Sequence, residues 1–200
     1  MKNAVIYIHG KSGNAEEANH YRKFFNDEYE VIGFDYKSEF PWEAKEEFPK
    51  FFDFMASQYS SVVLIANSIG TYYAMLSLAD KSIKKAMFVS PIVDMEHIIL
   101  NMMILSKVSE KILYEEKVIK TSFGETLSWE YLSYVRTHPI TWNVPTNILY
   151  AENDTITSLE TITNFAKRIG ATLTIMNNGE HWFHTEGQMI FLDNWFKKFI

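Results

Sequence analysis

Six short runs of this sequence are apolar almost throughout, and longer amphipathic stretches separate most of them. The runs fall at residues 4–8, 29–35, 62–66, 85–90, 146–151 and 172–177. Helical patterns lie at roughly 14–26, 41–58, 69–79, 158–169 and 185–199. A strand that is apolar on both sides of its pleat must be covered on both faces, so strands of this kind joined through helices specify a parallel sheet between helical layers. The pattern predicts an α/β chain with a mainly parallel sheet of about six strands and helices on both faces. Pro41 suits the first turn of its helix, whereas Pro49 is expected to kink or break that helix, because its ring and missing N–H disturb the ladder.

One stretch departs from the alternation. Residues 94–143 stand where a single crossover helix would suffice. They predict helices over 94–107, 109–118 and 128–137, with a turn or small hairpin around Phe123-Gly124-Glu125. Insertions of this length are often lids or binding elements. The expected organisation is one domain over 1–200, with 94–143 a small helical cap or lid inside it. Met102, Met103 and Trp129 are its candidate substrate-binding side chains; the competing expectation is that its apolar groups only pack on the core.

Composition removes several classes of function. The chain has no cysteine, which excludes disulfides, thiol catalysis and cysteine-ligated metals. Its formal net charge of -6 and the lack of a long basic run argue against a nucleic-acid groove or an anionic membrane surface as partner. No segment approaches the roughly 18 apolar residues of a membrane span. The N-terminus leads straight into a strand without a signal-peptide pattern. The expectation is a cytoplasmic protein with a small-molecule substrate, no cofactor, no metal, no nucleic acid and no membrane; the sequence does not specify an oligomeric state.

The chemistry starts at Ala66-Asn67-Ser68-Ile69-Gly70, between the run Val62-Val63-Leu64-Ile65 and a helical stretch. A serine at a strand-to-helix turn, flanked two residues away on each side by small side chains, fits a nucleophile elbow. The helix N-terminus behind it favours developing negative charge. A plain N-capping serine would satisfy the same pentapeptide, so the remaining residues must decide. A serine nucleophile requires a histidine base, a carboxylate to orient that histidine, and donors for an oxyanion. Asp154, after the strand at 146–151, is the candidate acid, with Glu152 and Asp94 as rivals and an Asx turn as its structural alternative. His181, in the loop after the strand at 172–177, is the candidate base, with His184 as rival. His9-Gly10-Lys11 follows the first strand, and the backbone N–H groups of Lys11 and Ile69 are the candidate oxyanion donors. His9 is expected to be structural, and His20, His97 and His138 to be surface or packing residues.

The order oxyanion loop, serine, acid, histidine resembles the α/β-hydrolase superfamily. The resemblance is carried by His9-Gly10, Ala66-Asn67-Ser68-Ile69-Gly70, Ala151-Glu152-Asn153-Asp154 and Gly179-Glu180-His181-Trp182-Phe183. It departs at Ala66, where the superfamily usually has glycine, and the strand before the oxyanion loop is the first, so the usual N-terminal antiparallel strands are missing. The resemblance implies the α/β-hydrolase fold, a lid at the 94–143 insertion, and a serine hydrolase acting on a small or medium carboxylic ester through an acyl-enzyme. Thioester or amide bonds would use the same groups. The alternative from another class is a non-catalytic member of the fold that binds a ligand or a protein.

Overall fold

The computed structural model describes residues 1–200. In chain order, β1 (Asn3–Ile8) leads to a 3-10 helix over Ala15–Phe24, then β2 (Tyr29–Gly33), α1 (Pro41–Gln58), β3 (Val62–Asn67), α2 (Ile69–Ser77) and β4 (Lys85–Val89). After β4 come α3 (Met95–Leu105), α4 (Glu110–Glu116), the hairpin of β5 (Val118–Lys120) and β6 (Thr126–Ser128), and α5 (Trp129–Thr137). The chain closes with β7 (Thr146–Ala151), α6 (Leu159–Ile169), β8 (Thr172–Met176) and α7 (Glu186–Phe199).

Six strands form one sheet in the order β2-β1-β3-β4-β7-β8, and every pairing is parallel. The register sets Ile8 beside Ala66, Asn67 beside Val89, and Ala151 beside Met176. The carboxyl ends of β1, β3, β4, β7 and β8 therefore lie along one edge, where open α/β sheets place their ligands. Successive side chains alternate between faces. On one face Tyr7, Ile65, Met87 and Leu149 pack with Ala18 and Tyr21 of the 3-10 helix and with Leu192, Trp195 and Phe196 of α7. On the other, Ile6, Ile8, Leu64, Phe88 and Ile148 are fully buried, α2 lies against β1 and β3, and α1 packs on α2.

Two elements differ from what the sequence predicts. Residues 15–24 are 3-10 rather than α-helical. The reason is visible in the spacing of Ala18, Tyr21 and Phe24, all packed in the same core cluster: a repeat of three matches a helix with about three residues per turn. α1 runs unbroken through Pro49. The carbonyl that Pro49 leaves without its usual partner belongs to Lys45, which is exposed, so water can satisfy it.

The chain divides into two compact units, Met1–Val93 with Thr141–Ile200, and Asp94–Ile140. The second ends three residues before the predicted boundary of 143, because Trp142 belongs to the sheet: its ring lies 5.6 Å from Phe88 and its Nε1 donates to Thr146 Oγ1 at 2.8 Å. Inside the second unit, Leu113, Leu127 and Leu132 are buried. Arg136 binds Glu110 with both terminal nitrogens, at 2.7 and 2.8 Å, and Glu96 through Nε at 2.6 Å, tying α3, α4 and α5 together. No helix is long and apolar enough to cross a membrane.

Candidate active site

Ser68 stands between the last residue of β3 and the first of α2, with φ 49° and ψ -124°. A non-glycine residue held there is strained, and the surroundings over-determine it. Its N–H donates to Val89 O at 3.1 Å, and its carbonyl accepts from Thr71 N at 3.0 Å and Thr71 Oγ1 at 2.6 Å. Thr71 Oγ1 in turn accepts from Ile92 N at 3.0 Å. The small residues do the work the turn demands. A Cβ on Gly70 would lie 2.4 Å from His9 O and 2.9 Å from Ile8 Cγ2, so only glycine lets α2 approach β1 this closely. A Cβ on Gly10 would lie 3.1 Å from the Ser68 Cβ. Ala66 is fully buried within the completed turn, so alanine suffices at that position. Gly70→Ala should cost about 3 kcal/mol from overpacking against backbone that cannot yield, read as a lowered thermal midpoint. An unchanged midpoint would show that the His9 carbonyl can move.

Ser68 Oγ lies 2.8 Å from His181 Nε2, and His181 Nδ1 lies 2.6 Å from Asp154 Oδ2. The carboxylate accepts only, so the His181 proton sits on Nδ1 and Nε2 presents its lone pair to the Ser68 hydroxyl. The Asp154 side chain is wholly buried. Its Oδ1 accepts from Ile156 N at 2.8 Å and Thr157 N at 3.1 Å. Asp154 is therefore both the turn-forming residue and the histidine's partner, one oxygen for each task. The rivals are engaged elsewhere: Glu152 Oε2 accepts from Asn178 N, Asp94 Oδ1 caps α3 at His97 N, and His184 donates from Nδ1 to Trp182 O.

His9 is structural, as the sequence predicts. Its ring stacks on Tyr36 at 4.3 Å, Nδ1 donates to Gly10 O, and its carbonyl accepts from Tyr36 Oη. Ile69 opens α2, and a first-turn N–H has no partner inside its own helix. Lys11 and Ser68 both line a cavity of about 580 Å³. That cavity is lined wholly by the first unit. Met102 and Met103 lie on α3 and Trp129 opens α5, all in the second unit, where Met103 is buried and Trp129 meets Tyr114 edge-on at 5.1 Å.

Several cavity residues escape a reading of the sequence. Glu17 and His20 both line it, although His20 is expected to lack site context. They sit three apart on the 3-10 helix, where such positions eclipse. His20 Nε2 lies 2.8 Å from Asp193 Oδ1 on α7. Tyr7, deep in β1, donates to Glu17 Oε2 and accepts from Asn67 Nδ2 at 2.8 Å. Burial, then the neighbouring Tyr21 and the Glu17 carboxylate, push the Tyr7 hydroxyl far above its ordinary value, so it stays protonated. Ser90, at φ 45° after β4, is buried, lines the cavity and has no partner for its hydroxyl. The positive φ and the cavity wall belong to the fold and leave no mark in the local sequence.

No family model matches the sequence, and no curated protein matches it. Solved structures do. Est1E from Butyrivibrio proteoclasticus is 18% identical with a TM-score of 0.78, over 99% of this chain and 86% of that one. Alpha/beta hydrolase domain-containing protein 10 from mouse is 14% identical with a TM-score of 0.74, over 98% and 90% of the two chains. The esterase domain of a Rhodothermus marinus protein is 13% identical with a TM-score of 0.66, over 98% and 85%. At such identities the likeness establishes the fold.

Proposed function

We propose that this chain, which has the α/β-hydrolase fold, is a serine hydrolase that cleaves carboxylic esters through an acyl-enzyme. The observation that carries the reading is the continuous hydrogen-bonded line from Ser68 through His181 to the buried Asp154. In the first step the Ser68 Oγ–acyl bond forms while His181 Nε2 takes the hydroxyl proton. The ester C–O bond then breaks, and that proton passes to the departing alkoxide. In the second step water gives a proton to His181 and attacks the acyl carbon. The bond to Ser68 breaks, the proton returns to Oγ, and the carboxylic acid leaves. The backbone N–H groups of Lys11 and Ile69 hold the oxyanion in both steps, and Asp154 keeps His181 in the tautomer that accepts from serine.

The reading is tested with a fluorophosphonate probe followed by intact mass. Wild type should gain a single adduct that Ser68→Ala lacks. Wild type that stays unlabelled, with no turnover of activated esters, would remove the hydrolase reading. The substrate panel includes a ferulate ester, because Est1E is also known with ferulic acid bound (16% identity, TM-score 0.79, over 98% of this chain and 87% of that one). It also includes thioesters and amides, which call on the same groups.

A further inference from the structure

We propose that the cavity beside Ser68 takes a substrate group whose far end carries a hydrogen-bond donor, a hydroxyl or an ammonium, and that Glu17 recognises it. The inference rests on the hydrolase reading and names its substrate class. One acceptor on the cavity wall lacks a donor from the protein. It is Glu17 Oε1: the partner oxygen Oε2 accepts from Tyr7, and the carboxylate lines the cavity.

The orientation of Asn67 is dictated by its neighbour. Tyr7 has one hydroxyl proton and gives it to Glu17, so it must accept from the Asn67 NH₂, and the amide oxygen is turned away from it. A ligand donor that meets the open Glu17 Oε1 makes a charge-assisted hydrogen bond. The apolar side chains Val89, Phe183, Met189 and Leu192 supply the rest of the grip. A substrate group of matching character has an apolar body and a donor at its tip. A carboxylate tip would meet Glu17 as a like charge, and a methyl tip would strip water from Glu17 while offering nothing in return.

The test uses the whole chain and alkylboronic acids, which bond reversibly to an activated serine, with tails of equal length ending in methyl, hydroxyl, ammonium or carboxylate. Inhibition constants are measured against ester turnover and against fluorophosphonate labelling. The hydroxyl or ammonium tail should bind about tenfold more tightly than the methyl tail, the size of a net charge-assisted hydrogen bond, and the carboxylate tail more weakly than methyl. The two donor tails separate the sources: an ammonium preference that Glu17→Gln abolishes marks a cationic substrate, and a hydroxyl preference that it lowers marks a neutral one. In Glu17→Gln the ratio of donor-tail to methyl-tail affinity should fall towards one. Equal binding of all four tails by wild type overturns the proposal, and so does a donor preference that Glu17→Gln leaves intact. Should no boronic acid bind and Ser68 resist the fluorophosphonate, the hydrolase reading itself has failed; binding of the methyl tail keeps that reading standing whatever becomes of Glu17.

Discussion

Ser68→Ala should lower kcat on any ester the wild type turns over by about 10⁶, because the groups of a triad act as a unit and removing the nucleophile leaves only binding and oxyanion stabilisation. The loss should come without loss of fold. The bonds that fix the elbow are made by the Ser68 backbone, through Val89, Thr71 and Ile92, and not by its hydroxyl. Alanine at φ 49° carries the same backbone strain as serine. A thermal midpoint near that of wild type together with a rate near background is the expected pair of results. Activity within tenfold of wild type would place the nucleophile elsewhere.

Asp154→Asn should be nearly as damaging, about 10⁴ in kcat, and the direction of the effect can be worked out atom by atom. Two backbone N–H groups, of Ile156 and Thr157, point at the Oδ1 position. An asparagine there must keep its carbonyl oxygen on that side, which turns its NH₂ towards His181 Nδ1. An NH₂ group cannot accept, so the imidazole moves its proton to Nε2 and faces the Ser68 hydroxyl with a donor instead of a lone pair. The turn keeps its two hydrogen bonds, so the variant should unfold close to the wild-type temperature while reacting slowly with both ester and fluorophosphonate. Retention of most activity would point to a different acid, although Glu152 and Asp94 are already committed to Asn178 and His97.

The sequence shows its sheet clearly because parallel strands covered on both faces leave continuous apolar runs, and all six strands lie where such runs occur. Ser68, Asp154 and His181 are legible for a related reason: each follows a strand, and the parallel sheet gathers strand ends along one edge. Pro49 misleads because the cost of a missing N–H depends on whether the orphaned carbonyl reaches water, and the exposure of Lys45 is a property of the packed helix. Glu17 and His20 are hidden because their partners, Tyr7 and Asp193, lie on elements distant in the chain from the 3-10 helix that carries both. The tighter repeat, about 3.0 residues per turn in place of 3.6, decides which side chains of that segment face the cavity. The double duty of Asp154 is equally invisible, since an Asx turn and a histidine partner are alternatives in the sequence and share one carboxylate in the structure.

β4 and β7 are hydrogen-bonded neighbours, with Ala86 beside Thr146 and Val89 beside Leu149. From the standpoint of the sheet, everything between them is a loop with fixed ends. Closing such a loop depends only logarithmically on its length, about 0.6 kcal/mol for each doubling. The second unit has buried leucines of its own and the clasp of Arg136 on Glu96 and Glu110. Lengthening, shortening or rewriting that stretch deprives no strand of the six-stranded sheet of a partner. The stretch can thus change in length while the order of the six strands stays the same.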